Sequence, residues 1–415
     1  MKIERCRGSF DMLPEEMRRF RHIEQIFRDS CLGWGYEEVR TPTLEYLHLF
    51  TAAGTLTPER LGRVYSFLDW DGWSGERVVL RPDGTIPAAR LFVEHLAGQG
   101  LAKLFYVQNV FCFEETGRER RERWQCGAEL IGSPEPAADV ELISLAREVL
   151  GKLKLGQPSL RLAHAGVIRE LLSCAGLADA EQAEVFDQML DGRLDALGEV
   201  EKRYHGMMSF LPLFLESKGD SPGFVDNLKA SLPQGMTGLR SQLDNLLQVV
   251  ERLGALDCQY EVDLASGRGF EYYTGVMFQL YLGDSRVGGG GRYDGLIPLV
   301  GGVATPASGF ALYVDELIRL LPGSLVEPPP WRRVSIKAQT EGVGGFRQCF
   351  DLAGRLRAAG YTVELDLGSP RGNPPRWLVE VGEAGLRLID RARGEEFGVE
   401  DLAQLVHQLE AECQS

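Results

Sequence analysis

A chain of 415 residues, 44% hydrophobic and 25% charged, is long enough for two or three domains with cores of their own, and its composition is that of an ordinary globular protein. A net charge of −15 argues against a broad nucleic-acid footprint, because holding phosphates needs clustered Lys and Arg. No apolar run approaches a membrane span, and the opening MKIERCRGSFDML lacks the apolar segment of a signal peptide, so a cytoplasmic location is expected. The eight cysteines form no CxxC and no zinc-like Cys/His group, which predicts reduced, mostly buried thiols, with no metal or other cofactor.

In chain order, residues 14–33 place Phe20, Ile23, Ile26 and Phe27 at helical spacing between Pro14 and Gly33. Residues 36–42 alternate like a strand and stop at Pro42, and short strands are expected at 78–80 and 104–113. A charged turn at 114–123 then leads into a strand at 124–131, which predicts a hairpin. Apolar stripes of 3.6-residue period make 136–155 and most of 165–255 helical, with examples at 167–174, 180–189 and 239–253. Strand patterns return at 258–264, 272–282 and 308–314, the last preceded by a glycine-rich entry and followed by a helix opening with Asp315 and Glu316. Strands and hairpins flanked by helices predict an α+β fold on an antiparallel or mixed sheet. Pro328, Pro329 and Pro330 mark a linker at 321–331, because consecutive prolines end regular structure. Beyond it, strands at 334–338, 362–367 and 377–381 with helices at 345–359 and 399–411 predict a small α/β domain over 332–415.

Several side chains have the chemistry of an amino-acid pocket. An ammonium wants carboxylates and carbonyls around it. Gln125 and Glu129 lie four residues apart on one strand and so share a face. Asp83 and Thr85 flank Gly84 on a loop, Tyr272 and Tyr273 alternate along a strand, and Arg268 just before them suits a carboxylate. From the residues alone, the tyrosines could equally be core aromatics, Glu129 could face solvent on an edge strand, and Arg268 with Glu271 could be a surface ion pair.

Five patches, in order, resemble histidyl-tRNA synthetases and their non-catalytic relatives, the regulatory subunits of ATP phosphoribosyltransferase. They are Arg7 to Pro14 with Gly35 to Pro42, Leu80 to Thr85, Tyr106 to Gly132, Arg268 to Gly275, and Val287 to Leu317. The resemblance covers residues 1–320 and implies a class II synthetase-like antiparallel sheet with flanking helices and a helical insertion at about 165–255. It implies that Asp83, Thr85, Gln125 and Glu129 hold the ammonium and backbone of a histidine, that Tyr272, Tyr273 and Tyr293 line the site with Tyr273 and Tyr293 meeting the imidazole, and that Arg268 meets the carboxylate side. Asp83 departs from the glutamate usual there, shortening the reach by one methylene. The two arginines that clamp ATP phosphates in the family fall on Cys112 and Glu316, so one cation becomes a thiol and the other an anion. Arg118, Arg120 and Arg319 are the nearest candidates to compensate. The C-terminal domain resembles a shortened anticodon-binding domain, but residues 331–415 carry 11 Lys and Arg against 13 Asp and Glu, so no tRNA-reading face is expected. The resemblance therefore implies a non-enzymatic homodimer that assembles further with a short-form ATP phosphoribosyltransferase catalytic chain. A divergent active histidyl-tRNA synthetase is the alternative.

Overall fold

The computed structural model describes residues 3–54, 61–69, 75–113, 119–174, 181, 185, 217–264, 266, 272–325, 332–339, 342–368, 374–382 and 385–411. The chain divides into two compact units, Met1–Pro322 and Gly323–Ser415. The first is built on a nine-stranded mixed sheet. Its strands run, edge to edge, Glu37–Glu38, Ala102–Phe111, Glu122–Ile131, Ala307–Tyr313, Ser285–Arg292, Val276–Leu282, Ser159–His164, Glu261–Asp263 and Lys218–Gly219. Only the pairings of 37–38 with 102–111 and of 159–164 with 261–263 are parallel. The expected α+β class therefore holds.

The helix Pro14–Gly33 matches its sequence signals. Pro14 sits in the first turn, where a missing amide costs nothing, Glu15 and Glu16 face the positive helix end, and Glu16 accepts the Leu13 amide at 3.0 Å. Its buried face is Phe20, Ile23 and Phe27, and the Phe27 ring packs edge-on against Phe105 and Phe310 at 5.9 and 6.3 Å. Burying a phenylalanine side chain of this kind contributes roughly 1.5–3 kcal/mol. Helix Pro136–Lys152 packs beside it, and Trp34 and Tyr36 donate to its Glu148 and Glu141 at 2.7 and 2.9 Å.

Strand parity then divides the sheet. Phe105, Ala128 and Phe310 share one face through their pairing, the face Phe27 covers. Tyr106, Gly127, Glu129 and Gly309 share the other. Helices Ala165–Cys174, Pro222–Ala230 and Thr237–Ala255 make up most of the described part of the expected helical stretch, which also holds strand Lys218–Gly219, while 180–189 lies almost wholly outside the described residues. Among the described residues no helix is long and apolar enough to cross a membrane.

Some expectations need correction. The 36–42 strand shrinks to Glu37–Glu38. The 272–282 strand starts only at Val276, so Tyr272 and Tyr273 lie in the turn before it and do not alternate along a strand. Strand Ser159–His164 was not anticipated, and the glycine-rich entry is itself a full strand, Ser285–Arg292.

The second unit carries a five-stranded sheet ordered Thr362–Leu365, Arg333–Ala338, Trp377–Gly382, Gly385–Asp390, Glu395–Val399. The first three are parallel and the last two form an antiparallel extension absent from the sequence expectation. Val399 pairs with Leu386 in that extension, so the last helix begins at Leu402, three residues later than expected. Val334, Ile336, Leu352, Leu356, Trp377, Val379, Leu405 and Leu409 form its core.

Candidate functional site

Three neighbouring strands are stripped of side chains where the site lies. Glu129 pairs across to Gly309, and Gly309 to Gly291, so one row of the sheet runs carboxylate, glycine, glycine. A Cβ on Gly309 would sit 1.7 Å from Glu129 Oε2, which shows that the glutamate lies flat over that glycine. A Cβ on Gly291 would approach the Tyr273 ring to 3.1 Å. Tyr106, opposite Gly127, is slotted the same way. Added Cβ atoms at Gly84 and Gly127 would fall 2.6 and 2.3 Å from its ring. Glycine here supplies room for larger neighbours, because any side chain would fill the space they occupy.

Glu129 is fully buried. Tyr106 donates to its Oε1 at 3.0 Å and Tyr293 to its Oε2 at 2.5 Å, and Thr85 also bonds to it. Burial pushes its carboxyl up to about 8, against the pull of those hydroxyls. Asp83 accepts the Ile86 amide at 2.8 Å, at the start of helix Thr85–Leu91, and the Tyr272 hydroxyl at 3.4 Å. Burial raises its carboxyl too, opposed by backbone amides of the same turn. The rings of Tyr272, Tyr273 and Tyr293 stand 5.1 to 6.4 Å apart, centroid to centroid, and burial lifts all three phenols well above their ordinary value.

Two buried arginines hold the pieces in place. Arg81 donates to Asn109 O, Thr41 O and Pro42 O at 2.7 to 3.1 Å, tying the loop that carries Asp83 and Thr85 to the hairpin. Arg292 donates twice to Asp139 Oδ2, at 3.2 and 3.0 Å, and to the Ser133 and Glu135 carbonyls, fixing the backbone beside Tyr293. Burial pushes Asp139 up to about 6 against the pull of Arg292.

Of the residues singled out from sequence, Asp83, Thr85, Glu129, Tyr272, Tyr273 and Tyr293 come together in this cluster. Gln125 shares the Glu129 face but opens into an adjoining cleft of about 1140 Å³. Arg268 lies outside the described residues. Tyr106 was missed as a site residue. Its place on the strand diagonal to Glu129 was the available signal, and strand pairing was needed to use it.

Cys112 and Glu316 both line the cleft. Of the arginines that line it, Arg120, Arg123 and Arg319 are engaged by carboxylates, while Arg118 lies outside the described residues. Arg120 donates to Asp315 at 2.7 Å and lies 3.6 Å from Glu16, Arg123 pairs with Glu119 at 2.9 Å, and Arg319 donates to Glu316 at 2.7 Å and to Ser285. Asp315 also accepts the Trp124 amide at 2.8 Å, so hairpin and helix Val314–Leu320 are joined across the cleft. The Arg286 guanidinium lies 5.6 Å over the Tyr313 ring.

A mixed sheet of this order, with a carboxylate–tyrosine cluster on the hairpin strand and a cleft beside it, defines a histidyl-tRNA synthetase-like protein. The sequence profile of histidyl-tRNA synthetase matches residues 8–317. The fold is similar to a histidyl-tRNA synthetase from Nostoc sp. PCC 7120 (TM-score 0.78, 19% identity, 99% of this chain and 100% of that one). It is also similar to an ATP phosphoribosyltransferase regulatory subunit/histidyl-tRNA synthetase from Bacillus halodurans (TM-score 0.74, 24% identity, 88% and 93%). In sequence the chain is 45% identical, over 99% of both chains, to an ATP phosphoribosyltransferase regulatory subunit of Dehalococcoides mccartyi. It is 31% identical to a histidine–tRNA ligase of Methanocaldococcus jannaschii, over 88% of this chain and 86% of that one. The chain belongs to the family of ATP phosphoribosyltransferase regulatory subunits.

Proposed function

We propose that this chain is the non-catalytic partner of a short-form ATP phosphoribosyltransferase. It activates that catalytic chain and makes the first step of histidine biosynthesis sensitive to feedback inhibition by histidine. The observation that carries this reading is the contrast between two adjoining sites. The cluster around Glu129 has two carboxylates and four tyrosines suited to an ammonium and an imidazole. In the cleft beside it, Arg120, Arg123 and Arg319 are bound by carboxylates, and Cys112 and Glu316, the positions to which the sequence resemblance assigns the family's phosphate arginines, also line it. An amino-acid pocket without a triphosphate grip senses rather than adenylates. For that sensing to reach the partner, histidine must bind the active and inhibited assemblies with different affinity.

The test mixes the purified chain with a short-form catalytic chain and follows phosphoribosyl transfer. The expected result is activity far above that of the catalytic chain alone, suppressed by histidine. Histidine-dependent ATP–pyrophosphate exchange by this chain alone would instead identify a synthetase and overturn the reading.

A further inference from the structure

Among the described residues, the groups that hydrogen-bond to Glu129 cannot neutralise it. The loop and helix at 83–91 bring Asp83 and Thr85, the first hairpin strand brings Tyr106, and the segment after strand Ser285–Arg292 brings Tyr293. The 272–273 turn adds Tyr272 and Tyr273, Tyr36 acts from farther off, strand Ala307–Tyr313 sets Gly309 opposite Glu129, and of the described cations Arg81 acts on Tyr106 and Arg286 on Tyr273. Asp83 has the same sign of charge, and the phenols stay neutral. Among the described residues, its hydrogen-bond partners are all neutral hydroxyls. An ion buried without a counter-charge is costly, and taking up a proton relieves it.

The geometry points to an exchange of a proton for a cation: Glu129 holds a proton in the empty pocket and releases it to water when the ammonium of a ligand arrives, and Tyr106 is the positioning residue that sets how readily that proton leaves. The inference rests on the reading of this pocket as a histidine site and adds its regulation by pH. Tyr106 has the right properties. Its ring is wedged between the Gly84 and Gly127 backbones, so its hydroxyl cannot swing away, and it reaches Glu129 Oε1 at 3.0 Å. Its donated hydrogen bond favours the ionised carboxylate, while burial pushes the carboxyl up to about 8. Below that pH, ligand binding displaces a proton and tightens by up to about tenfold per pH unit as pH rises. Above it, the exchange vanishes and affinity levels off, apart from the ligand's own titration.

Two measurements on the full chain test this. Infrared difference spectroscopy at pH 7 should show a protonated carboxyl band in the ligand-free protein, missing in Glu129→Gln, shifted in Glu129→Asp should the amide variant fail to fold, and bleached by histidine. Calorimetric histidine affinities of Tyr106→Phe and the parent, compared at each pH from 6.5 to 9.5, cancel the ligand's own titration. The variant should bind about five- to tenfold more weakly near pH 7, the loss of one hydrogen bond, and approach the parent at high pH. An absent band, histidine binding that leaves the band intact, or a ratio constant with pH would overturn the exchange while leaving the histidine reading standing. No histidine binding at any pH would remove both.

Discussion

A buried carboxyl also makes stability depend on pH, in a direction fixed by which state keeps its proton longer. Glu129 titrates near its ordinary 4.5 in the unfolded chain and near about 8 in the fold, because burial outweighs its hydroxyl donors. The folded state therefore binds the extra proton between those values. The stability Glu129 contributes is fully present below about 4.5 and is lost as pH rises through about 8. Glu129→Gln cannot ionise, so its melting temperature should gain on the parent steadily from pH 5 to pH 8. Parallel pH curves would show that Glu129 is already ionised in the fold. In the cleft, residue chemistry argues through charge. Glu316 is half-exposed and its bond to Arg319 contributes only about 0–1 kcal/mol, so it can be changed without endangering the fold. The double variant Cys112→Arg/Glu316→Arg should bind Mg-ATP at least about tenfold more tightly than the parent, the scale of a charge-assisted contact. Calorimetry that finds no gain would mean these two positions do not decide the cleft's selectivity. The identities at 112 and 316 were legible in the sequence. The engagement of Arg120 by Asp315 was not, because it depends on how hairpin and helix meet, whereas Arg319 and Glu316 pair at i, i+3 within one helix.

Among the elements, the strand Ser285–Arg292 shows where sequence reading stops. Its centre is four glycines, which carry no β-propensity, and it is a strand because it pairs on both sides, with Val276–Leu282 and Ala307–Tyr313. Helix Pro14–Gly33, by contrast, announces itself through a proline start and an apolar stripe, both local. The same split runs through the site. Glu129 and Gln125 were placed on one face by strand parity alone, whereas Tyr272 and Tyr273 were assigned to a strand that begins only at Val276. The glycine slots lead to opposite expectations for one substitution. Gly127→Ala would push a Cβ to 2.3 Å from the Tyr106 ring and should cost about 1–3 kcal/mol by overpacking, with weakened histidine binding because Tyr106 carries Glu129. Gly354→Ala, inside helix Val343–Ala358 with open space around it, should stabilise its unit by about 0.5–1 kcal/mol. Chemical denaturation of each variant checks the pair, and equal effects would show that the glycines at the site are not there for space.

At the scale of the molecule, function and architecture divide along the chain. The described pocket residues run from Asp83 to Tyr293, all within Met1–Pro322. The second unit pairs its five strands among themselves and buries its own core around Trp377 and Ile336. Arg376 closes one end of that sheet by pairing with the buried Asp390 at 2.5 Å and lying 4.7 Å over the Trp377 ring. A unit whose strands and core are internally complete has the ingredients of an independent folding domain. Residues 323–415 expressed alone should therefore melt cooperatively, and a chain ending at Pro322 should bind histidine with the affinity of the whole. Should the truncated chain bind normally yet fail to activate the short-form catalytic partner, the C-terminal unit is the part that transmits the signal. Should it lose histidine binding while remaining folded, the pocket depends on residues 323–415 and the division fails.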